Sequence, residues 1–136
     1  MKLLSIDYGT KRIGLAIGDT ADNVVVPYGM IENEGKKSSV VAAIEKVCEE
    51  EEIDKIIVGI PFQKEMDSKQ AKITQTFVDF LKNSIILDID IYDETFSTKM
   101  AEQNDIYRDL YKDREQGWKD AVAAGEILRG YMESLK

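Results

Sequence analysis

Three carboxylates stand where an α/β chain could use them for chemistry: Asp7 and Glu94, each at the end of an apolar strand, and Asp120 on the apolar stripe of a helix. In such a fold, acids from distant parts of the sequence can meet at the carboxyl ends of the central strands. Gathered carboxylates repel one another, and a divalent cation relieves the repulsion by reversing the local charge. Two such ions roughly 4 Å apart would activate a water and stabilise the leaving oxygen of a phosphodiester. That chemistry needs no histidine, and this chain has none, so the commonest general base and transition-metal ligand are both missing. An all-oxygen donor set selects Mg²⁺ or Mn²⁺ over zinc. Each acid taken alone also has a plain structural use: Asp7 as a turn former, Glu94 as a surface acid, Asp120 as a favourable charge at a helix start.

The elements that must position these acids follow from periodicity. Leu3 to Ile6 reads as a buried strand, Gly9 to Arg12 as a turn and Ile13 to Ile17 as the returning strand, which holds Asp7 rigidly beside the turn backbone. Ala21-Asp22-Asn23 is a second turn, and Val24 to Ile31 a third strand in which Pro27 marks an edge or a bulge. Val40, Val41, Ile44, Val47 and Cys48 recur at helical spacing before the solvated run Glu49 to Glu52. Ile56 to Ile60 is apolar throughout, as a strand covered on both faces must be, and Pro61 ends it. Asp67 and Gln70 have capping-box spacing ahead of a helix whose inner face is Ala71, Thr74, Phe77, Val78 and Leu81. A fifth strand spans Ile85 to Tyr92 and stops at Asp93-Glu94. Thr95 or Ser97 caps a third helix to about Tyr107, a charged connection covers Asp109 to Gly117, and a last helix starts near Trp118. On that helix Asp120 aligns with Ala124, Ile127 and Tyr131, so it faces the sheet and requires a partner.

Composition bounds the rest. A chain of 136 residues, 43% hydrophobic, builds one core, and residues 1–136 are expected to form a single domain. No run approaches the ~18 apolar residues of a membrane span, and Met1 to Leu4 leads straight into a strand, so a cytoplasmic location is expected. Cys48 is the single cysteine and reads as a buried thiol. The net charge of −8 argues against passive coating of nucleic acid and leaves room only for a local basic patch.

Four ordered blocks resemble the YqgF/RuvX family of RNase H-like nucleases, described as Holliday junction resolvases or as nucleases that mature the small-subunit ribosomal RNA precursor. They are Asp7 to Gly14 for D-x-G-x-K-R-I-G, Val58 to Pro61 for V-G-[LI]-P, Asp93-Glu94 for the start of D-E-R, and Asp120 to Ala124 for D-x-x-A-A. The resemblance implies a five-stranded mixed sheet ordered 3-2-1-4-5 and flanked by helices. It makes Asp7, Glu94 and Asp120 the catalytic, metal-binding acids, for which Mg²⁺ or Mn²⁺ is the expected cofactor. Lys11 and Arg12 are then candidate phosphate contacts, with solvated turn residues as the alternative. The implied partners are an RNA precursor or branched DNA, with ribosomal or transcription factors beside them, for a monomer or homodimer with no membrane. The chain departs from the pattern at Thr95, where the family has Arg. It also lacks glycines in the loop from Phe62 to Gln70, and it mixes acids with bases from Tyr111 to Gly117. Two other classes fit parts of the pattern. A noncatalytic family member docked on a ribosomal or transcription partner accords with Thr95 and the −8 charge. An actin-like ATPase accords with Asp7-Tyr8-Gly9-Thr10, although the chain has no second D-x-G-T segment.

Overall fold

A computed structural model describes residues 1–60, 69–93 and 116–136. Glu94, Thr95, the expected third helix, the Asp67 cap and the loop from Pro61 lie outside the described residues. The described strands are β1 (Lys2–Tyr8), β2 (Arg12–Asp19), β3 (Val24–Glu32), β4 (Lys55–Ile60) and β5 (Asp88–Asp93). The helices are α1 (Lys37–Glu50), α2 (Lys69–Ser84) and α3 (Gln116–Ser134). The strands form one sheet ordered β3-β2-β1-β4-β5, the order implied by the family resemblance. The β1-β2 and β2-β3 pairs are antiparallel, whereas β4 runs parallel to both β1 and β5.

Alternation along β1 divides the core. Leu4, Ile6 and Tyr8 point to one face, where Val40, Ile44, Phe77 and Leu81 of α1 and α2 cover them, and Tyr8 stacks on Phe77 with ring centroids 4.0 Å apart. Leu3 points to the other face, against Ile127, Leu128, Tyr131 and Met132 of α3. Ser5 shares that face and is fully buried, and its hydroxyl donates to the Ala124 carbonyl at 2.6 Å. This bond ties α3 to the central strand, and Ser5→Ala should lower stability by about 1–2 kcal/mol in a urea melt.

Two expectations shift at element ends. Strand five begins at Asp88 rather than Ile85, because the Ile85 N–H still donates to Leu81 at the end of α2 and Ile86 is fully exposed. The last helix begins two residues before Trp118. Pro27 is at an edge and also at a bulge, since β3 is the outer strand and the β2-β3 register shifts between Leu15 and Ala16. Cys48 is buried in the α1 side of the core, and its thiol is pushed up to about 11 by burial and then by Glu45 and Glu49. A thiol so protonated is a poor nucleophile. Among the described residues no helix is long and apolar enough to cross a membrane.

Candidate active site

The register of the first hairpin decides how the site is built. Asp7 pairs directly with Gly14, so the two residues share a sheet face, and alternation from Leu3 and Ser5 makes it the face that α3 covers. Only glycine fits opposite Asp7, because a Cβ on Gly14 would overlap the carbonyl oxygen of Asp120. The first turns of α3 therefore press backbone to backbone on β2 beside Asp7. Ala121 and Ala124, both fully buried, keep the rest of the contact small. Asp7 and Asp120, distant in sequence, thereby become neighbours.

The electrostatics show the same approach. The Asp7 carboxyl is raised from its ordinary 3.8 to about 6, first because burial strips its water and second because the Asp120 charge repels its own. Asp120 meets its need for a partner through Arg12, whose Nε donates to Oδ2 at 2.8 Å. Their side chains are 39% and 20% exposed, so the pair is screened and contributes no more than about 1 kcal/mol to stability. Its effect is positional, because it holds the Asp120 carboxylate in one orientation. Arg12→Gln should raise the Asp7 titration midpoint further, read from its carboxyl carbon by NMR, with little change in unfolding temperature.

The β1-β2 turn that carries this pair is braced from two sides. Asn33 donates from Nδ2 to the Gly9 carbonyl and from its backbone N–H to the Lys11 carbonyl, both at 2.9 Å. On the α2 side, Gln70 donates to the Tyr8 carbonyl at 3.3 Å and so braces the turn. A Cβ on Gly9 would overlap the Arg12 carbonyl, which explains the glycine at that point of the turn. Lys11 is exposed at the crest.

Of the expected site residues, Asp7, Asp120 and Arg12 come together, Lys11 lies on the adjoining turn, and Glu94 is outside the described residues. Asp93 pairs with Ile60, which belongs to the α1 and α2 core, so its strand position faces away from Asp7. Among the described residues no group of three acids is arranged to hold a metal ion. Ser5 and Asn33 had no signal in the sequence, and Gln70 only that of a helix cap, because each acts on a backbone carbonyl in another element.

The family described as "RuvX: Holliday junction resolvase" matches residues 1–134. The chain belongs to this family. A relative from Halothermothrix orenii is 33% identical over 135 residues, covering 97% of this chain and 94% of its own length. One from Malacoplasma penetrans is 35% identical over 142 residues, covering 99% and 96%. Both carry the name "Putative pre-16S rRNA nuclease". Among solved structures, T. thermophilus RuvC in complex with a Holliday junction substrate superposes with a TM-score of 0.62 at 13% identity, over 99% of this chain and 95% of that one. Fowlpox virus resolvase with Holliday junction DNA gives 0.55 at 18% identity, over 99% of both chains. These likenesses establish the fold of this RuvX-family chain as RNase H-like.

Proposed function

We propose that this RuvX-family protein is a divalent-metal-dependent nuclease that hydrolyses phosphodiester bonds in structured nucleic acid, with the small-subunit ribosomal RNA precursor as its substrate. The observation that carries the reading is the convergence of Asp7 and Asp120 across Gly14, with the Asp7 proton affinity raised first by burial and second by the Asp120 charge. Membership of the RuvX family and relatives named for pre-16S rRNA support the activity and the choice of RNA.

The residues present fit a hard cation. The Arg12 guanidinium pairs with Asp120, while the Asp7 carboxyl beside it is buried and repelled by the Asp120 charge, so Mg²⁺ or Mn²⁺ would answer the negative charge of this oxygen-donor pair. Asp7 and Asp120 would hold the ion, with Glu94 as the third acid. Asp93 is set aside by its place on the opposite sheet face. When bound, the cation supplies an activated water and stabilises the leaving oxygen. The chain's own groups do the positioning. Arg12 fixes the orientation of Asp120, the braced turn holds Asp7, and exposed Lys11 takes a phosphate oxygen of the substrate. The Arg12 Nε is already engaged by Asp120, so its phosphate contact falls to the remaining guanidinium N–H groups.

The substrate is tested by incubating the protein with a small-subunit ribosomal RNA precursor and, separately, a four-way DNA junction, each with Mg²⁺, with Mn²⁺ and with chelator. Metal-dependent cleavage of the RNA alone is expected. Symmetric cutting of the junction alone would reassign the substrate to branched DNA, and inertness toward both would remove the nuclease reading.

A further inference from the structure

The acidic composition conceals a patch of the opposite sign. An open cleft of about 250 Å³ lies between the first turns of α1 and α2, lined by Lys37, Lys69, Lys72, Ile73 and Thr76. Positions 69, 72, 73 and 76 fall on one face of α2, so Lys69 and Lys72 project together and Lys37 meets them from α1. Lys2, Lys46, Lys55, Lys136, Arg12 and Arg129 all have carboxylate partners within 4.0 Å. Among the described residues, Lys37, Lys69 and Lys72 have no such partner, and neither helix carries an acid in its first turn. In a chain with 26 acids against 18 bases, three converging, unneutralised lysines make a local anion site.

Its position ties it to the acids. The β1 strand ends at Tyr8, and Gln70, next to Lys69, donates to the Tyr8 carbonyl one residue beyond Asp7. Asn33, ahead of α1, bonds the carbonyls of Gly9 and Lys11 on the same turn. The starts of both helices are thus fastened to the turn that bears Asp7, at one end of the sheet. The cleft opens on the α1 and α2 face of that end, and Asp7 with Asp120 on the α3 face.

We propose that the Lys37, Lys69 and Lys72 cleft binds the phosphate backbone of the nucleic-acid substrate beside the cleaved bond, with the strand passing over the end of the sheet by way of Lys11. This rests on the nuclease reading for its substrate class. Point-charge lysines on an open cleft suit a sugar-phosphate backbone read without sequence preference. The site supplies the local affinity that the net charge of −8 otherwise opposes.

The test is fluorescence anisotropy of a labelled single-stranded ribo-oligonucleotide and a labelled four-way DNA junction across a salt series. It compares Asp7→Asn protein with the same protein carrying Lys37→Gln, Lys69→Gln and Lys72→Gln. The triple change should weaken binding by on the order of tenfold and lower the log-log salt slope for the single strand by roughly 2, the value for three lost contacts. Lys2→Gln, Lys46→Gln and Lys136→Gln alter net charge equally at the other end of the molecule and should leave the slope near its starting value. Equal slopes for the two triple variants would overturn the proposal. So would a cleft change that weakens binding of a labelled polyglutamate peptide and leaves both nucleic acids bound as before. Cleavage is measured separately on the wild type. Slope loss without cleavage keeps the cleft and sinks the nuclease reading, and cleavage with an unchanged slope does the reverse.

Discussion

Asp7→Asn is expected to reduce cleavage by on the order of 10³-fold or more while making the metal-free protein more stable. The two effects have one cause. In the folded chain the Asp7 carboxyl holds its proton to about pH 6, against an ordinary value of 3.8, because burial and the Asp120 charge both penalise the anion. A group whose folded pKa is raised in this way binds more protons in the native state than in the unfolded one. Stability therefore falls as pH rises through the window from about 4 to 6, and the whole penalty is present at neutral pH. A rise of this size corresponds to an upper figure of about 3 kcal/mol. Asparagine keeps the shape and removes the charge, so in chelator at pH 7.5 the variant should unfold at higher temperature than wild type. The difference should shrink as the pH is lowered toward 4. Thermal melts at several pH values check the sign, and single-turnover cleavage checks the activity. A site kept at the expense of stability is the expected pattern for charged catalytic groups.

Gly14→Ala should be among the most damaging single-methyl changes in the protein. The added Cβ has no room, because the atoms it meets are the carbonyl of Asp120 and the amide of Ala121, backbone that moves only if α3 moves. Overpacking against backbone should cost about 3 kcal/mol, seen as a fall of about 10 °C in unfolding temperature. The same displacement draws Asp120 away from Asp7, and a shift of about 1 Å at reacting groups costs on the order of 10²-fold in rate. Gly29 is the control. It lies in the neighbouring strand, where an added Cβ would have nothing within 4 Å, so Gly29→Ala should leave both melting and cleavage near wild type. Equal behaviour of the two variants would contradict the close approach of α3 to β2.

The contrast between these glycines shows what the sequence could reveal. The alignment of Asp120 with Ala124, Ile127 and Tyr131 disclosed that this acid faces the core, because that pattern is set within a single element, whereas the apolar run Leu3 to Ile6 placed Asp7 at a strand end without revealing its face. The sheet order came with the four family blocks, and the observed order agrees. The partner required by Asp120 could be foreseen only as a requirement. That Arg12 fills it depends on α3 crossing β2 at Gly14, which no local pattern encodes. The same holds for Ser5, whose hydroxyl reaches a carbonyl 119 residues away. The lysine cleft was hidden for a related reason. Lys37 and Lys69 each look like an ordinary solvated helix start, and only the side-by-side packing of α1 and α2 makes them one surface. Glu94 was legible through the Asp93-Glu94 block alone, and it lies outside the described residues.

The claim that Asp7 and Asp120 form a cation-holding pair is tested most directly by calorimetric titration of Mn²⁺ into wild-type, Asp7→Asn and Asp120→Asn proteins at pH 7.5, with circular dichroism confirming that all three are folded. Binding to the wild type, with loss of at least about tenfold in affinity in each variant, is the predicted result. Mn²⁺ binding of equal affinity in all three proteins would contradict it.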